Sequence, residues 1–180
     1  MKIFPLALIL TAAVMISKRV QASQANPDSV VPSSFSPIDW IETMTTGQTR
    51  GERNNNPGNL RHGIAWQGLS VNQPDADFAT FDSAAFGLRA LAKNLHNYYV
   101  LHGLDSVASI VMRWAPPAEN NTAAYIQAVA DSSGFDPYTH LDMNDPGVLA
   151  RLTAAIVHQE NGRVAYDIGQ IDAAAGDALV

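Results

Sequence analysis

A chain of 180 residues, 47% of them hydrophobic, can core one domain but not two comfortable ones. It has no cysteine, which excludes disulfide staples, thiolate nucleophiles and thiolate-bound zinc. Its formal charge is −6, and without the leading bases Lys2, Lys18 and Arg19, 11 less 3 leaves 8 bases against 17 acids, or −9; that balance argues against nucleic acid and against a polybasic membrane-surface role.

Residues 1–22 read as an export signal. Lys2 precedes an apolar run from Ile3 to Ile16, and Val20-Gln21-Ala22 offers a small-residue cleavage site. Lys18 and Arg19 crowd that site and leave an uncleaved anchor open, although the run is shorter than the roughly 20 residues that span a bilayer. Either way a secreted or periplasmic domain is expected. Residues 23–36 are Ser/Pro-rich and read as a linker. The domain then occupies residues 37–180, opening on a short helix from Pro37 to Thr45 with Ser36 as its N-cap.

Thr46 to Gly63 is polar and carries a Pro-Gly pair, hence loop and tight turns. Ala65–Ser70 and Asp77–Phe81 flank an NQPD turn and predict a small β-hairpin. Ser83 caps a long helix to about Leu101 that Gly103 stops, with Leu88, Leu91, Ala92, Leu95, Tyr98 and Tyr99 as its buried stripe. A helix from Ser106 to Trp114 ends at Pro116-Pro117, and Trp114 reads as a core residue. Thr122 to Ser132 is helical with Tyr125, Ile126 and Val129 inward. Asp145-Pro146 opens the last long helix, and Ala173–Val180 reads as a short terminal one. The sum is an α+β, mainly α-helical domain with one small hairpin. The five histidines show no ligand spacing, so neither a metal nor another cofactor is expected.

On the last long helix Leu149, Leu152 and Ile156 recur at helical spacing, and Glu160 lies four residues beyond Ile156 on the same face. A carboxyl is thereby turned toward the core just where Asn161-Gly162 ends the helix. Partial desolvation and the negative end of the helix dipole favour its protonated form, the form a general acid needs. The chain has four glutamates. Glu52 sits between Arg50 and Arg53, which would keep it ionised; Glu119 follows two prolines and could be a second carboxylate or a substrate contact; Glu42, near the end of the first short helix, is the rival acid.

Four segments in order, NNNPGNLRHGIAWQGLS, FATFDSAAFGLRAL, RWAPPAENNTAAYIQAVA and AIVHQENGR, together resemble a family of phage virion-associated and bacterial secreted proteins with a lysozyme-like domain. The resemblance spans roughly Arg50 to Tyr166. In lysozyme-like enzymes and lytic transglycosylases the Glu-ending helix precedes the Asn-rich segment and the Trp-Gly hairpin, whereas here it follows them. The resemblance therefore implies a circular permutation, which preserves spatial neighbours when termini lie close together. It implies a peptidoglycan glycosidase cutting the β-1,4 bond between N-acetylmuramic acid and N-acetylglucosamine, with Glu160 as the acid and water or the muramyl 6-hydroxyl as the nucleophile. Without permutation, Glu42 would take that role. Asn59 would face the acid, with Arg61 and His62 as further cleft residues. Glu119, Asn120, Thr122 and Tyr125 would read sugar hydroxyls and N-acetyl groups, Tyr125 lying nearest the reaction centre. His158 points to another helix face and reads as a surface histidine.

The expected partner is the peptidoglycan glycan strand, bound by a monomer. The acidic balance adds the expectation that a de-N-acetylated, ammonium-bearing glycan is favoured. The competing class is a non-catalytic wall-binding or virion structural protein that keeps the fold without the chemistry.

Overall fold

The computed structural model describes residues 47–180; the expected signal, linker, first helix and Glu42 lie outside the described residues. Among the described residues six helices follow in chain order: α1 Arg50–Arg53, α2 Ala84–His102, α3 Val107–Trp114, α4 Thr122–Ser133, α5 Pro146–Asn161 and α6 Ile168–Ala178. The mainly helical architecture expected from the sequence is present. No described helix is long and apolar enough to cross a membrane.

Local chemistry explains most of the boundaries. Ser106 and Ser109 satisfy each other's backbone N–H groups at the start of α3, and Asp145 accepts from the N–H groups of Gly147 and Val148 at the start of α5, where Pro146 needs no partner. Gly103, Gly134 and Gly162 end α2, α4 and α5 in the left-handed conformation. Helix α1 lies inside a segment the sequence reading left as loop: Thr49 and Glu52 form a capping box around a single turn. Helix α6 begins five residues before the expected Ala173, because Asp167 and Gln170 form another such box.

Helix α2 packs along α6, and α5 packs against α4, α6 and α2. Leu88, Leu91, Leu95, Leu149, Leu152, Ile156 and Ile171 are fully enclosed between them. Burial of each such side chain contributes about 1.5–3 kcal/mol before the entropy of ordering is subtracted. At Gly87 α2 comes so close to the Asn55 carbonyl oxygen that a Cβ would overlap it, which fixes the polar segment against the helical body.

The expected hairpin is reduced to two isolated antiparallel bridges, Arg61 to Phe78 and Leu69 to Phe81. Three backbone bonds, Ala79 N–H to Leu60, Ser70 N–H to Thr80 and Asp82 N–H to Gly68, join the segments, and side-chain amides reinforce them. The Asn56 amide, fully buried, donates to the carbonyls of Leu60 (2.9 Å) and Ala79 (2.8 Å) and accepts from the Leu60 N–H. Gln73 likewise donates to the carbonyls of Ser70 and Thr80 and accepts from the Thr80 N–H. Two aromatic-rich segments are thus held together by polar residues that read from sequence as turn formers.

Candidate active site

The last turn of α5 carries two side chains with separate tasks. Asn161 is buried; its amide donates to the carbonyls of Pro57 (2.8 Å) and Val157 (3.0 Å), while its oxygen accepts from the Thr49 hydroxyl (2.6 Å). The sequence presents it as part of a helix stop, yet it rivets the helix end to the Asn-rich segment. Gly51 leaves room for that rivet, since a Cβ there would stand 2.6 Å from the Asn161 oxygen and 3.2 Å from that of Asn59.

Glu160, one residue earlier, is half-buried and turned into a cleft of about 550 Å³. Three donors converge on it. Oε1 accepts from the Tyr125 hydroxyl at 2.6 Å and from the Trp114 indole N–H at 3.0 Å, and Oε2 accepts from the Asn59 amide at 3.0 Å. Burial and then the adjacent Glu160 carboxyl, as a charge and as an acceptor, push the Tyr125 hydroxyl well above its ordinary range, so it remains a donor.

These donors come from three separate elements. Tyr125 lies on the first turn of α4, and Trp114 is the last residue of α3. Asn59 follows Gly58 in a segment where both it and Asn55 adopt positive φ, 47° and 49°, a conformation that Asn tolerates better than most residues. Its amide faces Glu160 while its own oxygen is buried without a hydrogen-bond partner.

The cleft brings together most of the residues singled out from sequence. Asn59, Glu119, Asn120 and Tyr125 line it with Glu160, as do Arg61 and His62. Among the described residues Glu119 is the only other carboxylate that lines it, and it is exposed. Thr122 is a correction: it is buried, does not line the cleft, and spends its hydroxyl on the Ala115 carbonyl at 2.6 Å, tying the loop after α3 to the start of α4. Trp114 is the opposite correction, a residue expected in the core that is half-buried, lines the cleft and donates to Glu160. Trp66, Phe78 and Tyr98 add aromatic surface. His158 is exposed, as expected.

Glu52 is held ionised, but not by its neighbours in sequence. Burial alone would raise its pKa; the Arg163 guanidinium, which grips both its oxygens at 3.0 and 2.7 Å, and Thr49, whose N–H donates to the carboxylate at 2.7 Å, more than offset this and lower it. Arg50 is instead committed to Asp75 and Asp77. The Arg163–Glu52 pair is a second fastening, one turn past the acid, between the end of α5 and α1.

Among the described residues no group of three or more His, Asp or Glu side chains could hold a metal ion. The arrangement is a half-buried carboxyl at a helix end, fixed by a tyrosine, a tryptophan and an asparagine in an open cleft with aromatic and amide lining. That defines a mainly helical domain with an oriented carboxyl, Glu160, set into a cleft. No family model matches the chain. It is 36% identical over 139 residues to Protein P5 of Pseudoalteromonas phage PM2, an alignment covering 74% of this chain and 84% of that protein. The chain belongs to the family of that phage protein.

Proposed function

We propose that the chain is a peptidoglycan glycosidase of lysozyme-like, circularly permuted architecture, with Glu160 as its general acid. The observation that carries this reading is the three-donor cradle around Glu160 within the cleft. Each carboxyl oxygen offers about two acceptor positions. Oε1 has both engaged by Tyr125 and Trp114, so Oε2, which takes only the Asn59 amide, is the oxygen left to carry a proton. That proton passes to the glycosidic oxygen as the bond to the anomeric carbon breaks and positive charge spreads over the sugar ring.

Asn59 stands at the working oxygen and would orient the acid, or the acetamido group of a bound sugar, by its amide. Asn120 and Tyr125 place an amide and a phenol on the same cleft, and Trp66 and Tyr98 offer aromatic surface to the apolar sides of sugar rings. Glu119, exposed on the segment between α3 and α4, is the candidate for activating water. A cleft in which it is dispensable would favour attack by the muramyl 6-hydroxyl and an anhydro product.

The test is a zymogram of the full chain on cell-wall glycan beside Glu160→Gln and Glu42→Gln, with mass spectrometry of the products. Clearing by wild type and Glu42→Gln but not by Glu160→Gln is expected. Equal clearing by Glu160→Gln and wild type would leave a wall-binding or virion structural protein as the better account, and loss confined to Glu42→Gln would transfer the acid.

A further inference from the structure

Net charge alone favours a cationic glycan, but the cleft itself carries a cation. Arg61 is exposed on the cleft lining, and its guanidinium lies 5.6 Å from the centroid of the Phe78 ring. No carboxylate among the described residues pairs with it. The contrast with Arg50 is instructive, because that guanidinium packs on the same ring, 4.5 Å away, and has taken both nearby acids, Asp75 at 2.7 Å and Asp77 at 2.8 Å. Arg61 keeps its charge and its N–H donors unspent.

Its position is also built. The Leu60 backbone is clamped on both sides by Asn56 and by the Ala79 N–H, and Arg61 itself bridges to Phe78. Two residues upstream Asn59 touches Glu160, so the Arg61 backbone sits within ~7 Å along the chain of the residue that holds the acid. Beside it, His62 places Nε2 2.9 Å from the Asp75 carbonyl. A carbonyl can only accept, so Nε2 carries a proton and Nδ1 is left toward other partners. The opposing charges in the cleft are Glu119, from the segment after α3, and Glu160.

Resting on the glycosidase reading, we infer that Arg61, placed beside the Phe78 ring and next to His62, is a specificity-determining subsite for a carboxylate borne by the glycan strand. A planar guanidinium with an uncommitted fork of donors suits a carboxylate in two-point contact. The substrate class is then the acid-bearing strand rather than the ammonium-bearing one expected from overall charge. The carboxylate has two sources, the peptide stem and the lactyl group exposed when the stem is removed.

The full chain carrying Glu160→Gln, with and without Arg61→Gln or Arg61→Lys, is titrated by NMR with three probes. These are a stem-bearing muropeptide, the same muramyl glycan with its stem removed, and a chitooligosaccharide of equal length without any carboxylate. The Glu160→Gln protein is expected to bind at least one carboxylate probe about tenfold more tightly than the chitooligosaccharide. Arg61→Gln erases that difference and Arg61→Lys restores part of it. Preference for the stem-bearing probe alone assigns the peptide carboxylates, preference for the stem-free muramyl probe alone assigns the lactyl carboxylate, and preference for both shows a subsite that takes either. Equal affinity for all three probes, an equal loss for all three in Arg61→Gln, or no binding at all overturns the subsite. A preserved preference with no turnover of any glycan by the wild-type chain would instead overturn the glycosidase reading and leave the anion subsite standing.

Discussion

The Asn161 amide donates to the Pro57 carbonyl at 2.8 Å, joining residues 104 positions apart. That bond sets the distance between the end of α5 and the segment carrying Asn59, and so between Glu160 and the amide that faces it. Because Asn161 also holds the Thr49 hydroxyl, one side chain positions α1, the Asn-rich segment and the helix end that carries Glu160 together.

Replacing Asn161 by Leu leaves the Pro57 carbonyl and the Thr49 hydroxyl buried without their partner. Each orphaned group costs about 1–3 kcal/mol. Chemical denaturation is expected to show a loss in that range or somewhat above it, with turnover falling further than the unfolded fraction explains. A fully stable, fully active Asn161→Leu protein would mean that the rivet is incidental.

Tyr125→Phe removes the 2.6 Å bond to Oε1 and little else from the enclosed ring. Glu160 then keeps Trp114 and Asn59 and gains freedom to rotate. Misplacement of a reacting group by about an ångström costs up to roughly a hundredfold in rate. Steady-state kinetics on solubilised glycan should therefore show a lower kcat with KM nearly unchanged. A rise in KM at constant kcat would reassign Tyr125 to substrate binding.

Gly51→Ala is a sharper probe of the same geometry. The new methyl would press against the side-chain oxygen of Asn161, the backbone carbonyl of Asn56 and the side-chain oxygen of Asn59, and overpacking of this kind costs typically about 1–3 kcal/mol. The expected outcome is a lowered Tm together with an altered Asn59 amide signal in the NMR spectrum. An unchanged signal would show that the two asparagines can move aside without consequence for the cleft.

Acid sensitivity is expected to reside in Asp75. Burial would raise its pKa, but the Arg50 fork, the Asn54 amide and the N–H groups of Asp77 and Phe78 together hold it well below the usual carboxylate range. A carboxyl depressed by folding contributes its stability at pH values above its ordinary pKa of about 3.9 and loses it as the pH drops through the lower folded value. Glu52 and Asp136, lowered as well, add to the same slope. Denaturation midpoints measured from pH 7 to pH 2 should fall steeply below about pH 4 for wild type. Asp75→Asn should start lower at pH 7 and decline less, and parallel curves for the two proteins would exclude this origin.

Much of this organisation was legible in the sequence because it is local. Ser106, Asp145-Pro146, Gly103 and Gly162 mark helix ends by interactions a few residues long, and the spacing of Leu149, Leu152, Ile156 and Glu160 identifies the carboxyl on the buried face. Tyr125 and Asn59 came from the resemblance, and the structure sets both against Glu160. What escaped was set by tertiary placement. Trp114 ends an apolar helix, so its pattern says core, and only the arrival of α5 turns its N–H into a partner for Glu160. Thr122 has the chemistry of a sugar contact, yet the fold commits it to Ala115. Glu52 finds its cation 111 residues away at Arg163 rather than next door. The capping boxes at Thr49 and Asp167 were readable from side-chain type and spacing, but the turn-forming residues around them suggested loop.

The amide rungs of Asn56 and Gln73 have a consequence for how the polypeptide behaves before and after it folds. A regular ladder would expose a row of open backbone donors and acceptors along its margin, an invitation to recruit strands from other molecules. Here short backbone pairings are interleaved with the Asn56 and Gln73 amides, which occupy the carbonyls of Leu60, Ala79, Ser70 and Thr80, so the aromatic-rich stretch leaves fewer open acceptors as a template for intermolecular growth.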